Sequence, residues 1–323
     1  MKSDKKLIVV GSDEIAYHFC FLSMVTLRLK EVYLFSFPTQ ENNKVNDLQY
    51  ASKLFSMSKL KLGNEKDYAD ADILILTAQE IRLENEQDSD YLRRNILLVR
   101  KIINQAMASG FNGLILVANE SNDLFTYLVW KFSGLPKYKI FGIGTYIDTV
   151  YFQKLISDTV DVSFREVKGY IIGGNNPMHK IVAWSRSSIG GNSLLGLTMD
   201  PTATINQEDM FGIEEKMNKQ NQMNVNKDLT ITTTAALLNL VQFILTNEKA
   251  IVPLVHLLDI GEMKDVPLSI PVLIGGNGIR QITGLNFSET EQKNLLISAK
   301  EIRNQLDWIE KGWIMEGYDG KKL

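Results

Sequence analysis

Leu7-Ile8-Val9-Val10-Gly11-Ser12-Asp13-Glu14-Ile15-Ala16 passes from an apolar run through a glycine into an acidic residue and then a second apolar run. Four apolar residues without polar alternation fit a strand covered on both faces. The stretch from Glu14 to Leu29 is nearly apolar throughout and reads as a helix. Further along, Glu31 to Phe37 reads as a second strand before Pro38, and Asn46 to Ser56 as a helix. Asp72 to Ala78 and Gly113 to Ala118 are continuous apolar strands, with a helix from Leu92 to Ala108 between them. A short helix from Asp123 to Ser133, stopped by Gly134 and Pro136, leads to a strand from Ile140 to Gly144. Strands alternating with helices in this order predict a doubly wound parallel α/β sheet. Its crevice lies outside the carboxyl ends of the strands, at Gly11 to Asp13, Ser36, Ala78 to Gln79, and Asn119 to Glu120.

The second half has a different texture. Val167 to Gly173 and Lys180 to Ser185 read as antiparallel strands. Pro201 to Asp228 is polar and reads as a helix with loose flanks, and Thr230 to Asn247 as a long helix. Two strands, Ala250 to Asp259 and Ile270 to Ile274, are separated by a turn-rich segment around Gly261 and Pro267. Ser288 and Glu291 form a capping box for a final helix that ends near Glu310, before Gly312. This half is a mixed α+β domain.

A net charge of -3 with no large basic cluster argues against a nucleic-acid partner. No stretch reaches the length of a membrane span. One cysteine, Cys20, excludes an internal disulfide and a thiolate metal site, and fits a reducing, cytoplasmic compartment. With three scattered histidines, no metal site is expected.

Several phrases resemble the L-2-hydroxy acid dehydrogenase family, which contains the lactate and malate dehydrogenases. They are Ala69 to Asn95, Trp130-Lys131-Phe132-Ser133-Gly134-Leu135-Pro136 and Gly142-Ile143-Gly144-Thr145-Tyr146-Ile147-Asp148-Thr149, joined by Tyr170-Ile171-Ile172-Gly173, Trp184-Ser185 and Ile270-Pro271-Val272-Leu273-Ile274-Gly275. The resemblance covers nearly the whole chain. It implies a Rossmann-type nucleotide-binding domain over residues 1–144 and a substrate domain over 145–323. It also implies a dimer or tetramer, to which the helices from Ile15 to Leu29 and Thr230 to Asn247 would contribute surface.

A dinucleotide fingerprint needs glycines for the tight turn, the approach of the pyrophosphate and close helix–strand packing. Gly11 fills the first place, but Asp13 and Ala16 fill the second and third. Alanine is tolerated, whereas Asp13 puts a negative side chain where two phosphates would lie, and Glu14 adds a second charge. Ser36 matches the acidic residue that binds the adenosine ribose, which leaves NADP open, with Lys44 the nearest cation. On these grounds no nicotinamide cofactor is expected.

The resemblance implies that Asp148 keeps the family aspartate of a histidine–aspartate proton pair. Asn175 stands in place of the histidine, and an amide cannot be the acid or base near neutral pH. Tyr151 replaces the arginine that clamps the substrate carboxylate, and Asp88 replaces the arginine on the mobile loop that polarises the carbonyl. Glu120 stands where an asparagine orients cofactor and substrate, although Asn119 would substitute if the strand end slipped by one. From Gln79 to Asp90 there are five acids against Arg82, a loop that would repel an anionic substrate. His179 reads as a surface residue, and His18 and His256 as satisfied members of their elements.

The reading with most support from these residues is a family member inactive in 2-hydroxy acid oxidation, with a binding or regulatory role and a possible protein partner. The alternative is an NAD(P)-dependent oxidoreductase of altered specificity, using a neutral or cationic substrate and an acid from an unusual position. A third reading keeps small-metabolite binding without redox chemistry.

Overall fold

The computed structural model describes residues 4–27, 29–36, 43–54, 59–224, 229–282 and 286–315. The expected strand end at Phe37 with Pro38, the helix end at Ser56 and the segment end at Asp228 lie outside these residues.

The first half contains β1 (Leu7–Val10), α1 (Glu14–Thr26), β2 (Glu31–Phe35), α2 (Asn43–Ser52), β3 (Lys59–Leu62), β4 (Ile73–Leu76), α3 (Asp88–Ala108), β5 (Leu114–Val117), α4 (Asn122–Ser133) and β6 (Ile140–Gly142). These strands pair in parallel in the order β3-β2-β1-β4-β5-β6, the arrangement of a Rossmann-type sheet. β1, β4 and β5 are buried at every position because helices cover both faces. β3 escapes the sequence reading. Its Lys-Leu-Lys-Leu run forms the sheet edge and buries only Leu60, so it carries no apolar signal.

The second half contains α5 (Tyr146–Val160), β7 (Val167–Lys168), β8 (Ile171–Gly173), β9 (Lys180–Val182), β10 (Ser188–Ile189), β11 (Asn192–Ser193), α6 (Leu194–Leu197), α7 (Gln207–Asn224), α8 (Thr230–Thr246), β12 (Ala250–Ile260), β13 (Met263–Gly275), β14 (Gly278–Gln281) and α9 (Glu289–Met315). β12 joins β6 antiparallel at Val255 opposite Gly142, so the main sheet continues through both halves as eleven strands. The fold is thus a parallel α/β unit followed by a mixed α and β unit, as the sequence predicts.

Three expectations are corrected. Pro267 is not in a turn: it lies within β13 opposite Leu257, and the hairpin turns at Gly261. Val167 to Gly173 is not one strand, because β7 belongs to a separate three-stranded sheet while β8 joins the main one. α9 also runs past Glu310 and through Gly312. Its start is as expected, with Ser288 N–H donating to Glu291 Oε2 at 2.8 Å and Glu291 N–H to Ser288 Oγ at 3.3 Å.

Apolar side chains cover the sheet on both faces. α3, α4 and α9 pack on one side through Val99, Leu128 and Leu306, while α1 and α8 pack on the other through Phe19 and Leu240. A smaller cluster joins α5, Trp184 and α7. Within this interior His256 on β12 is buried, with Nδ1 3.2 Å from Leu254 O and Nε2 without a partner. Burial pushes its pKa down to about 4 from an ordinary 6.5. A depressed folded-state value gives stability that is complete above the unfolded value and lost as the pH falls through the folded one. Urea unfolding is therefore expected to show about 3 kcal/mol lost to this residue as pH drops from 6.5 towards 4. A His256→Leu variant lacks that component; an unchanged pH slope in the variant would remove His256 as its source.

Candidate active site

The carboxyl ends of the parallel strands open onto a cavity of about 450 Å³. Ile15, Thr77, Asn119, Asn122, Asp148 and Lys180 are among its walls. A wider groove of about 970 Å³ lies at the opposite, amino end of the same strands, against Lys5, Asp72, Gly113 and Lys139. Ligands of open α/β sheets bind at the carboxyl ends, so the smaller cavity is the candidate site.

Its first wall is the turn from β1 to α1. A Cβ on Gly11 would stand 2.0 Å from Thr77 Oγ1 on the neighbouring strand end, so no side chain fits there. Asp13 is the N-cap of α1: its Oδ1 accepts from Ala16 N at 2.7 Å, and Oδ2 is shielded from solvent. Burial pushes the Asp13 carboxyl above the ordinary aspartate range, against the lowering effect of the Ala16 N–H. Glu14 pairs with Lys44. The hydroxyls of Ser12 and Ser36 hydrogen-bond at 2.8 Å and tie this turn to the end of β2.

The second wall is the β5–α4 turn. Asn119 is only 4% exposed, and neither Oδ1 nor Nδ2 has a partner. Glu120 is exposed, and its Oε2 accepts from the Tyr91 hydroxyl at 3.3 Å. Both residues border the cavity, but Asn119 is the one buried in its wall. Asn122 Oδ1 accepts from Gly144 N at 2.9 Å, which fixes the turn from β6 into α5. Gly144 takes a positive φ of 56°, and a Cβ there would lie 2.2 Å from Ser269 Oγ.

The third wall carries a pair that motif matching does not reveal. Asp148 sits in the first turn of α5, and Lys180 opens β9. Lys180 Nζ donates to Asp148 Oδ1 at 2.8 Å and to Asn221 Oδ1 at 3.3 Å. Each side chain of the ion pair is only 10% exposed. Asp148, retained without a histidine, thus has a cationic partner five positions beyond Asn175. The available signal was the need of a buried carboxylate for a counter-charge. Asn175 borders the cavity, with its backbone N–H donating to Asp123 Oδ2 at 3.0 Å. Burial pushes the Asp123 carboxyl up.

Other sequence candidates fall elsewhere. Tyr151 packs against the apolar cluster of Phe152, Trp184 and Met217 instead of facing the cavity. Asp88 begins α3 and pairs with Arg82 at 2.6 Å. The expectation of a repelling acidic loop is corrected in part, since Arg94 from α3 binds Glu80 at 2.9 Å and Glu86 at 2.7 Å. His179 is not a surface residue. It is 8% exposed, and its Nε2 lies 2.5 Å from Glu301 on α9. His18 is exposed on α1.

Residues 5–142 match the family model for the lactate/malate dehydrogenase NAD binding domain, and residues 145–312 match that for the lactate/malate dehydrogenase alpha/beta C-terminal domain. The chain belongs to the lactate/malate dehydrogenase family. It is 30% identical over 315 residues to L-lactate dehydrogenase 1 of Listeria innocua, covering 95% of this chain and 98% of that protein. L-lactate dehydrogenase of Streptococcus mutans is 29% identical over 313 residues, with 95% and 94% covered. Among solved structures, a minor L-lactate dehydrogenase from Enterococcus mundtii in the ligands-bound form superposes with a TM-score of 0.85 at 25% identity, covering 95% of this chain and 99% of that one. A lactate dehydrogenase from a Medee basin deep-sea metagenome library gives 0.84 at 26%, covering 94% and 98%.

The expectation that no nicotinamide cofactor binds is overturned, because the first domain matches the family's NAD binding domain. Asp13 Oδ1 is taken up as the cap on Ala16 N–H at the start of α1, and Lys44 pairs with Glu14. The unpartnered Nδ2 of Asn119 also fits a cofactor that offers an acceptor. The residues present fit NAD: the β1–α1 turn would hold its phosphates, and Asn119 Nδ2 would donate to it.

No helix among the described residues is long and apolar enough to cross a membrane. Among the same residues no group of three or more His, Cys, Asp or Glu converges as for a metal ion.

Proposed function

We propose that the chain is an NAD(H)-dependent oxidoreductase that interconverts a secondary alcohol and its ketone, with Lys180 as the proton carrier and a substrate other than a 2-hydroxy acid. The observation that carries this reading is the Lys180–Asp148 pair on the wall of the cleft cavity. Reduction of a ketone needs a proton donor at the carbonyl oxygen, and a positioned ammonium group supplies one. Bound NAD(H) supplies or takes the hydride at the carbinol carbon. Asp148 holds the Lys180 ammonium in place. Asn119 is placed to orient what enters the cavity through its two free amide atoms.

The altered specificity rests on the two missing arginines. Tyr151 is packed away, and Asp88 presents a negative group bound to Arg82, so neither offers a carboxylate clamp. The expectation of an inactive chain rests on losses at both the cofactor and the substrate site; of these, the proton that Asn175 lacks is offered by Lys180. Oxidation of NADH in the presence of neutral ketones and 2-oxo acids tests the proposal. Turnover with a neutral ketone, at a higher kcat/KM than with pyruvate, is expected; no turnover with any carbonyl compound overturns it. Assembly as a dimer or tetramer and a division into units at 144/145 are further proposals. Exposed Phe21, Val25 and Ile231 on α1 and α8 support the assembly, which light scattering tests.

A further inference from the structure

Beside the cleft lies a second cavity of about 730 Å³, between the Gln79 to Asp88 segment, the start of α4, the turn before β9, and α9. It shares Asn119, Glu120 and Asn175 with the cleft cavity, so a substrate held beside Lys180 extends into it. Its walls hold a buried acceptor that awaits a donor. Asn119 Oδ1 is buried and unpartnered. The buried His179 Nδ1 also has no partner, while its Nε2 lies 2.5 Å from Glu301. The Glu120 carboxylate stands at the rim with the Tyr91 hydroxyl beside it.

Charge points the same way. Arg82 is the one Lys or Arg among the described residues that line this cavity, and it shares it with the exposed carboxylates of Asp88 and Glu120. Its guanidinium is already held by Asp88 at 2.6 Å and stacked 4.3 Å from the centre of the Tyr91 ring. A carboxylate would bring acceptors and negative charge to a site that lacks neither. An ammonium group would bring three donors and a positive charge. Trp308 of α9, on the same cavity and 62% exposed, offers a ring face of the kind that attracts such a group.

We propose that this cavity holds the far end of the substrate and that this end carries an ammonium group, so that the reacting pair is an amino alcohol and its amino ketone. The proposal rests on the oxidoreductase reading above and names its substrate class. Glu120 and Asn119 Oδ1 accept from the ammonium, and Asn119 Nδ2 is left to the cofactor. Glu120 is here a specificity residue and takes no part in proton transfer.

Three alcohols on one three-carbon frame separate the possibilities: isopropanolamine, propylene glycol and lactate. Each is titrated by calorimetry into protein saturated with NADH, where an alcohol cannot react, so the readout is binding. Isopropanolamine is expected to bind roughly tenfold more tightly than propylene glycol, with lactate weakest. Glu120→Gln, at an exposed position where folding is not at risk, is expected to abolish that preference. Equal affinity for all three, no binding of any, tighter binding of lactate, or a preference that survives Glu120→Gln each overturns the proposal. If that occurs while the wild type still oxidises NADH with a neutral ketone, the oxidoreductase reading stands and only the substrate class falls.

Discussion

Replacing Lys180 by methionine is expected to lower kcat for ketone reduction by roughly 10²–10⁴-fold while leaving NADH affinity within a few-fold of wild type. Methionine keeps the length and much of the volume of the side chain but carries no proton. The ammonium is the one titratable donor that Asp148 holds in this cavity among the described residues. Steady-state turnover and an NADH titration on the same sample give both numbers. Retained turnover in the variant would remove Lys180 from proton transfer. A parallel loss of NADH affinity would show a structural role instead. Lys180→Arg tests the same point from the other side: it keeps the charge on Asp148, yet its guanidinium does not release a proton near neutral pH.

Asp148→Ala is expected to destabilise the protein by about 3–5 kcal/mol. The variant leaves the Lys180 ammonium, 10% exposed, without its carboxylate. Asn221 offers only a neutral oxygen at 3.3 Å. The double change Asp148→Leu with Lys180→Met replaces the pair by apolar groups and is expected to recover most of that loss, because no charge is then left buried alone. Urea unfolding of the single and double variants checks both. If the single change costs under 1 kcal/mol, water reaches the pair and the cavity wall is less dry than its exposure indicates. A stable double variant also gives the Lys180 experiment a folded control without a proton carrier.

Much of this fold is legible in the sequence because burial on both faces leaves uniform apolar runs. Leu7–Val10, Ile73–Leu76 and Leu114–Val117 are each wholly buried, and each reads directly as a strand. Elements fail to show where the chain meets solvent or where pairing overrides local preference. The edge strand Lys59–Leu62 has one buried residue, and Pro267 is held in β13 by the hairpin register.

The site is less legible, for reasons tied to particular side chains. Matching by motif position finds Asp148 and Asn175, but not Lys180, whose Nζ reaches Asp148 from across the turn between β8 and β9. It places Asp13 in the phosphate turn, yet cannot show that the carboxyl folds back onto Ala16 N–H. The charge count from Gln79 to Asp90 omits Arg94, which lies four residues later and covers Glu80 and Glu86. In each case the residue types were visible, and the partner was set by three-dimensional packing.

Titration of the full chain with NADH by calorimetry is the most direct test of an NAD(H)-dependent oxidoreductase on this fold. The expected result is saturable binding at one site per chain with micromolar affinity, in line with the match of the first domain to the family's NAD binding domain and the open amide of Asn119. No binding up to millimolar NADH would contradict it, and would remove Lys180 from redox chemistry altogether.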